Sequence, residues 1–587
     1  MRASVWAPRA SRVDLVLADD VRPLSPGAGG WWTDTADLPH GTDYRLSVDG
    51  GPARPDPRSA WQPEGVHGPS RVFDAARHAW RSSWDGLDVR GRVFYELHVG
   101  TFTPEGTLAA AVEHLDELVA LGVDVVELMP VAPFNGRHGW GYDGVALYAV
   151  HEPYGGPAAL QDFVDEAHAR GLAVCLDVVH NHLGPSGNYL AGFGPYFTGK
   201  HHTPWGDAVN LDDDGADEVR RWIADSALRW FTDFRVDALR LDAVHELRDD
   251  SPRHLLAQLS DEVATLSAAL GRPLGLIAES DLNDTASLAP TSEGGWGMTA
   301  QWADDVHHAI HALVTGERHG YYVDFGSPAT LRTVMRGAFL HDGRFSTFRG
   351  TDWGAPVPEG TDGHRFVVCA QNHDQVGNRG LGDRPSERLP TGLLAVEAAL
   401  VLLSPFTPLL FMGEEWGART PWQFFTDHPE TDLAAAVSAG RLAEFGGHGW
   451  VEVYGGDVEV PDPQAPETFA ASVLDRSERD APERAALLEW YRVLVGLRRS
   501  VPDLASGDLA ATDLTWDGPD DVDGPWSGVL VLHRGTARVV ANLGDQDARV
   551  ALDGPLDVAA SSAPVEVGPD GVDVRARSVV VLVGAAD

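Results

Sequence analysis

From residue 91 to residue 413, short apolar runs alternate with amphipathic stretches of helical period. Eight runs stand out: "VFYELHV", "DVVELMP", "LAVCLDVV", "VDALRLD", "PLGLIAES", "GMTAQW", "RFVVCAQ" and "PLLFMG". A strand that must be covered on both faces reads as such a run, and a helix between consecutive strands makes them parallel. Eight βα units predict an α/β fold, a (β/α)8 TIM barrel. The stretch "LAAAVEHLDELVALG" places Leu108, Val112, Leu115 and Val119 on one face of its helix. The most apolar region, "LLAVEAALVLLSPFTPLLFMG", is interrupted by Glu397, Pro405 and Pro408. It reads as a buried helix, a break and a buried strand, not a membrane span.

The flanks read differently. Residues 1–85 are rich in Gly, Pro and Trp and carry short alternating runs such as "RVDLVLAD", which predicts an N-terminal β-sandwich. The helix "RAALLEWYRVLVGLRRSVP" closes the barrel region, 86–504. Residues 505–587 return to alternating strands, "GVLVLHRG", "ARVVANLG" and "RSVVVLVG", the pattern of a C-terminal β-sandwich.

Charge excludes several roles. Lys and Arg number 45 against 87 Asp and Glu, a formal net charge of −42. Nucleic acid and anionic membrane surfaces are therefore poor partners. The two cysteines, Cys175 and Cys369, lie in apolar runs and suit core packing in a reducing compartment. The N-terminal stretch "MRASVWAPRASRVDLVL" has no apolar segment with a cleavage site, so a cytoplasmic setting is expected. Nineteen Trp fit sugar stacking as well as core filling. Trp31 and Trp32 in the N-terminal module favour the core over glucan binding.

Barrel chemistry sits at the C-terminal ends of the strands, and the polar residues crowd there. The third run ends "DVVHNH" (Asp177 to His182), the fourth ends with Arg240 and Asp242, the fifth with Glu279, and the seventh leads into His373 and Asp374. Strand alternation sets Ala238, Arg240 and Asp242 on one face and Leu239 and Leu241 on the other. Asp237 falls on the Leu239 face and reads as structural. Three acids at three strand ends suit glycoside hydrolysis, which needs a nucleophile, an acid/base and a stabiliser of positive charge. Arg240 beside Asp242 favours an ionised nucleophile, while Glu279, after the apolar "LGLIA", is expected to hold its proton to higher pH.

In this order, "DVVHNH", "ALRLDAVH", "IAES" and "QNHDQ" resemble the four short regions of the α-amylase clan, glycoside hydrolase family 13. The resemblance covers the barrel and extends to both sandwich domains. The N-terminal module resembles the clan's glycogen-binding-like domains. It implies Asp242 as nucleophile, Glu279 as acid/base and Asp374 as transition-state stabiliser. Arg240, His182 and His373 would hold the sugar at the cleavage point, with Tyr142 stacked on it.

Within the clan, "YELHVGTFTPEGT", "TPWGDAVNLD", "QWADDVHHAIHALVTGE" and "FMGEEWGARTPWQFFTDH" resemble the members that release trehalose from malto-oligosyltrehalose, and His245 in "DAVHEL" matches their pattern. The implied reaction is hydrolysis of the α-1,4 bond next to the terminal trehalose unit, with retention. That places Asp242 and Glu279 about 5–5.5 Å apart. The alternative is a glucan branching transferase with the same three acids. Asp304, Asp305, His307 and His308 are expected on the rim as substrate contacts, with Asp304 or Asp305 also able to cap a helix. Gln375 and Asn378 complete the expected substrate-binding set. No cofactor and no metal are expected; His201 and His202, beside Trp205, read as a cleft loop rather than ion ligands, and His180 as support for the site. The pathway implies a functional link to the synthase that makes the substrate.

Overall fold

The computed structural model describes residues 2–445, 453–454, 456, 458–519, 526–552, 554–568 and 570–584. Its centre is a closed barrel of eight parallel strands. We label them β1 (Phe94–Leu97), β2 (Val125–Leu128), β3 (Ala173–Val178), β4 (Ala238–Leu241), β5 (Gly275–Ala278), β6 (Ala300–Trp302), β7 (Phe366–Cys369) and β8 (Thr407–Phe411). Seven lie within one of the apolar runs, and β8 starts one residue before its run, at Thr407. The ring closes through β8 and β1, where Leu409 pairs with Phe94.

Alternation along the strands divides the lumen into two halves. The lower half is apolar: Phe94, Val125, Ala173, Cys175, Ala238, Ile277, Ala300, Val367 and Leu409 form one buried cluster, floored by Val89, Leu87 and Trp84. One step further along, Glu96, Glu127, Asp177 and Arg240 are buried. Charge enters the lumen only toward the end where the strands finish.

Asp237 shows how the lower end is fixed. Its carboxylate is fully buried and accepts four hydrogen bonds: Trp84 Nε1 at 2.7 Å, Arg272 Nη1 at 2.9 Å, His168 Nε2 at 2.8 Å and the Val174 amide at 3.0 Å. The last bond ties β4 to β3 directly below the strand that carries Arg240. The structural reading of Asp237 therefore has a concrete content.

The helices follow the sequence with one correction. The stretch from Leu108 breaks at Glu113–His114 into two helices, Leu108–Val112 and Leu115–Leu121. The break resets the helical phase, so Leu118 and Leu121 are buried and Val119 is 43% exposed. The apolar region near residue 400 is a buried helix, Thr391–Leu402, followed by β8.

The first strands form two antiparallel sheets, one of three strands around Trp31–Thr33 and one of four around Val13–Val16 and Asp43–Val48. Trp32 is buried there and bonds the Ala7 carbonyl through its indole, so it is a core residue. The C-terminal strands form a five-stranded and a three-stranded antiparallel sheet; residues 585–587 of that region lie outside the described residues. Both cysteines are free and buried. Among the described residues, no helix is long and apolar enough to cross a membrane.

Candidate active site

A cleft of about 410 Å³ opens at the C-terminal end of the barrel, lined among others by Trp140, Tyr142, His182, Trp205, Asp242, His245, Glu279, His373 and Asp374. Asp242 and Glu279 directly follow β4 and β5, and Asp374 lies in the short helix His373–Gly377 after β7.

Arg240 organises the floor of the cleft. It is completely buried; Nη1 donates to Asp242 Oδ1 at 2.8 Å and to Asp177 Oδ2 at 2.9 Å, and Nη2 faces Glu279 Oε2 at 3.2 Å. One guanidinium thus spans the nucleophile and acid candidates, which its planar fork can do and a lysine could not. Asp242 is fixed from its other side by Asn181, whose Nδ2 donates to Oδ2 at 2.8 Å and to the backbone carbonyl at 2.7 Å.

Glu279 has a second donor that no pattern announces. Ala243, directly after Asp242, has φ of 38°, in the left-handed region a residue with a Cβ rarely enters. That turn aims its amide at Glu279 Oε2, 2.6 Å away. The strain, of order 1–3 kcal/mol, is held by the surrounding barrel. Burial pushes the Glu279 carboxyl above its ordinary range; Arg240 opposes this, while Asp242 and Asp374 add to it. Its carboxyl therefore keeps its proton to higher pH than a free glutamate.

Asp374 stands across the cleft. His373 Nε2 lies 3.3 Å from its Oδ2, and Asn378 donates to Oδ1 at 3.2 Å. Enclosure raises its pKa, but the His373 charge and hydrogen bond prevail and hold it down at about 2. Tyr142 donates its hydroxyl to Asp177 Oδ2 at 2.7 Å and lies 2.7 Å from His373 Nε2. His182 is held by the Tyr142 carbonyl at 3.0 Å and stacks on Trp205, with ring centroids 4.0 Å apart and planes within 3°. Trp205 is 52% exposed, an aromatic face presented to the cleft.

The remaining expected contacts divide. His245 lines the cleft and accepts from the Asp281 amide at 3.3 Å. Asp304 is partly exposed beside the acids; burial, Glu279, Asp374 and Asp281 push its carboxyl up to about 8. His308 is partly exposed and stacks on Tyr321, and Gln375 accepts from the Tyr321 hydroxyl at 3.4 Å. Asp305 and His307 do not sit on the cleft wall. Both are buried: Asp305 accepts from Asn283 and from the Leu340 and His341 amides, and His307 packs under Tyr322. Their helix, Asp304–Thr315, starts at Asp304, so 304 and 308 share the outward face while 305 and 307 turn inward.

The sequence reading did not single out Glu96 or Asn181. Alternation in "FYELH" puts Glu96 on the lumen face with Phe94, a signal that was present but carried no recognisable motif. His180 is buried beside Asp242, and burial lowers its pKa to about 4. Among the described residues the only cluster of three potential metal ligands is His201, Asp212 and Asp250, but Lys200 Nζ already occupies Asp212 Oδ2 at 2.8 Å. His201 Nε2 shares that oxygen at 2.9 Å, so these residues form an ion-pair group around Asp212.

A barrel with this arrangement of acids is the framework of an α-amylase-type glycosidase. The alpha-amylase catalytic-domain family matches residues 69–194. A solved structure described as a putative alpha amylase from Salmonella typhimurium superposes with a TM-score of 0.88 at 36% identity, covering 99% of this chain and 97% of that one. A pullulanase from Paenibacillus barengoltzii complexed with maltotetraose shares the fold, with a TM-score of 0.70 at 18% identity over 99% and 93% of the two chains.

Full-length similarity narrows the class. The malto-oligosyltrehalose trehalohydrolase of Rhizobium sp. (strain M-11) is 50% identical over 98% of this chain and 96% of its own length. That of Arthrobacter ramosus is 52% identical over 94% and 98%. A 1,4-alpha-glucan branching enzyme of Vibrio cholerae is 33% identical over only 42% of this chain. The chain belongs to the malto-oligosyltrehalose trehalohydrolase family.

Proposed function

We propose that the chain hydrolyses the α-1,4 bond next to the terminal trehalose unit of malto-oligosyltrehalose, by a two-step retaining mechanism. The observation that carries the chemistry is the Arg240 fork: one buried guanidinium held between Asp242 and Glu279 keeps the two carboxyl groups close, as a covalent intermediate requires. Asp242 attacks the anomeric carbon of the last glucan residue. Glu279 gives its proton to the departing O4 of trehalose, and a glucosyl ester on Asp242 results. Water then enters; Glu279, now a base, takes its proton as the water oxygen bonds to the anomeric carbon and the ester bond to Asp242 breaks, and maltodextrin leaves with its configuration retained while Asp242 is again a carboxylate.

Asp374 stabilises the oxocarbenium-like transition state, the role suited to a carboxylate held strongly acidic. Tyr142 stacks on the sugar at the cleavage point, with His182, His373 and Arg240 fixing its hydroxyls. His245, Asp304, His308, Gln375 and Asn378 supply polar contacts around the leaving trehalose, whose second ring offers no reducing end. On this reading the reaction belongs in the cytoplasm, downstream of a synthase that converts a maltodextrin's reducing end into a trehalose linkage.

The test is product analysis on two substrates. Trehalose and a shorter maltodextrin of α configuration should appear from malto-oligosyltrehalose. New α-1,6 branches from amylose, without trehalose, would instead assign a branching transferase. Asp242→Ala should abolish either activity.

A further inference from the structure

We infer that Glu96, at the end of β1, is a positioning residue: it holds His373 with a hydrogen on both ring nitrogens, and so sets the direction of a hydrogen-bond circuit that reaches the nucleophile. The inference rests on the glycosidase reading above for its kinetic consequence, but not for its geometry.

Glu96 is fully buried and gives both oxygens to one residue. Oε1 lies 2.6 Å from His373 Nδ1, and Oε2 accepts the His373 backbone amide at 2.9 Å. This bidentate grip fixes the imidazole plane and requires a hydrogen on Nδ1. The other nitrogen, Nε2, faces two oxygens, the Tyr142 hydroxyl at 2.7 Å and Asp374 Oδ2 at 3.3 Å. Tyr142 has a single hydrogen and a buried carboxylate to receive it, Asp177 Oδ2 at 2.7 Å. Its oxygen is thereby left as an acceptor toward Nε2, which must be a donor. Arg240 Nη1 donates to the same Asp177 oxygen at 2.9 Å and to Asp242 at 2.8 Å. The order of donation is therefore His373 to Tyr142, Tyr142 to Asp177, with Arg240 closing the chain onto Asp242. A singly protonated His373 would keep its hydrogen at Glu96 and accept from Tyr142, stripping Asp177 of one donor and Asp374 of its cationic neighbour.

The surroundings agree. Facing His373 are Glu96 from β1, Asp374 from its own short helix, Tyr142 from the loop after β2, and, beyond Tyr142, Asp177 from β3 and Arg240 from β4. His98, on the β1 side, is kept neutral by burial, its pKa lowered to about 3. The edges of Trp140 and Trp302 close the rest, with centroids 5.9 and 6.1 Å away. Burial opposes a charged imidazole, yet Glu96 first and Asp374 second raise His373 well above its ordinary range. Asp177, pushed up by burial and Asp242 against the pull of Arg240 and His373, reaches about 7.

Glu96→Gln keeps the shape and one acceptor while removing the charge. In the full-length protein, the His373 imidazole resonance, assigned by its loss in His373→Asn, should titrate about two pH units lower or more in Glu96→Gln. Trehalose release should stay within about threefold of the parent near pH 5.5 and fall at least about tenfold behind it near pH 8.5. Glu96→Asp should restore the parental pH dependence even if its rate is lower. A Glu96→Gln deficit that is constant across pH, or an unmoved His373 titration, overturns the inference in favour of simple packing. A parent that makes no trehalose would overturn the substrate reading alone, and the resonance titration would still decide this one.

Discussion

Replacing Arg240 by lysine keeps the charge and removes the fork. In the parent, the guanidinium serves three carboxylates at 2.8, 2.9 and 3.2 Å from a site with no solvent access. An ammonium on a shorter stem can meet one of them at contact distance. Two charge-assisted contacts are lost, each of about 1.5–3 kcal/mol. Expressed in the transition state, that is a fall in kcat/KM of roughly two to four orders of magnitude. Folding should suffer less, because every carboxylate keeps another donor: Tyr142 for Asp177, Asn181 for Asp242 and the Ala243 amide for Glu279. The loss should fall mainly on kcat, since the contacts position reacting groups rather than bind distant sugars. The assay is initial-rate trehalose release with a melting curve on the same sample. An Arg240→Lys protein that keeps more than about a tenth of the parental kcat/KM would refute the argument, because charge alone would then suffice.

Two further substitutions separate scaffold from chemistry. Asp237→Asn turns an amide NH2 toward two of four converging donors, and should lower stability by about 3–5 kcal/mol, read as an earlier calorimetric melt, with kcat unchanged in the folded protein. Glu127, buried beside Glu96 on the neighbouring strand with Cys175 on its other side, is raised from 4.5 to about 8, by burial and then by Glu96 and Asp177. Its folded form holds a proton the unfolded form has released, so this group favours folding least at high pH, and stability declines as pH rises from about 4.5 to about 8. Glu127→Gln should therefore melt with the parent near pH 4.5 and above it near pH 8.5; a difference independent of pH would count against a titrating Glu127.

The legible part of this molecule is the part written in periodicity. Eight apolar runs gave eight strands, and strand alternation alone put Arg240 and Asp242 on one face. Glu279 and Asp374 were findable because a carboxylate after an apolar strand is conspicuous. Glu96 sat in an equally regular position, but without a companion motif it resembled any acid at a strand end. Helix phase was less readable: with no alignment to a start residue, Asp304, Asp305, His307 and His308 looked like one rim cluster, whereas two of the four face inward with the core. The αL turn at Ala243 left no trace, since alanine gives no hint of a positive φ and the conformation is imposed by tertiary contacts.

The shared guanidinium has a consequence for the course of the reaction. When Asp242 forms its ester it gives up a negative charge, and in the same step Glu279 acquires one by losing its proton. When water resolves the ester, the exchange runs backward. Seen from Arg240, the negative charge only changes sides, from one arm of the fork to the other, and its total stays constant through the cycle. The buried cation therefore has no solvation to reorganise at either step. The barrel floor can remain rigid while the chemistry above it passes through a charged transition state twice per turnover.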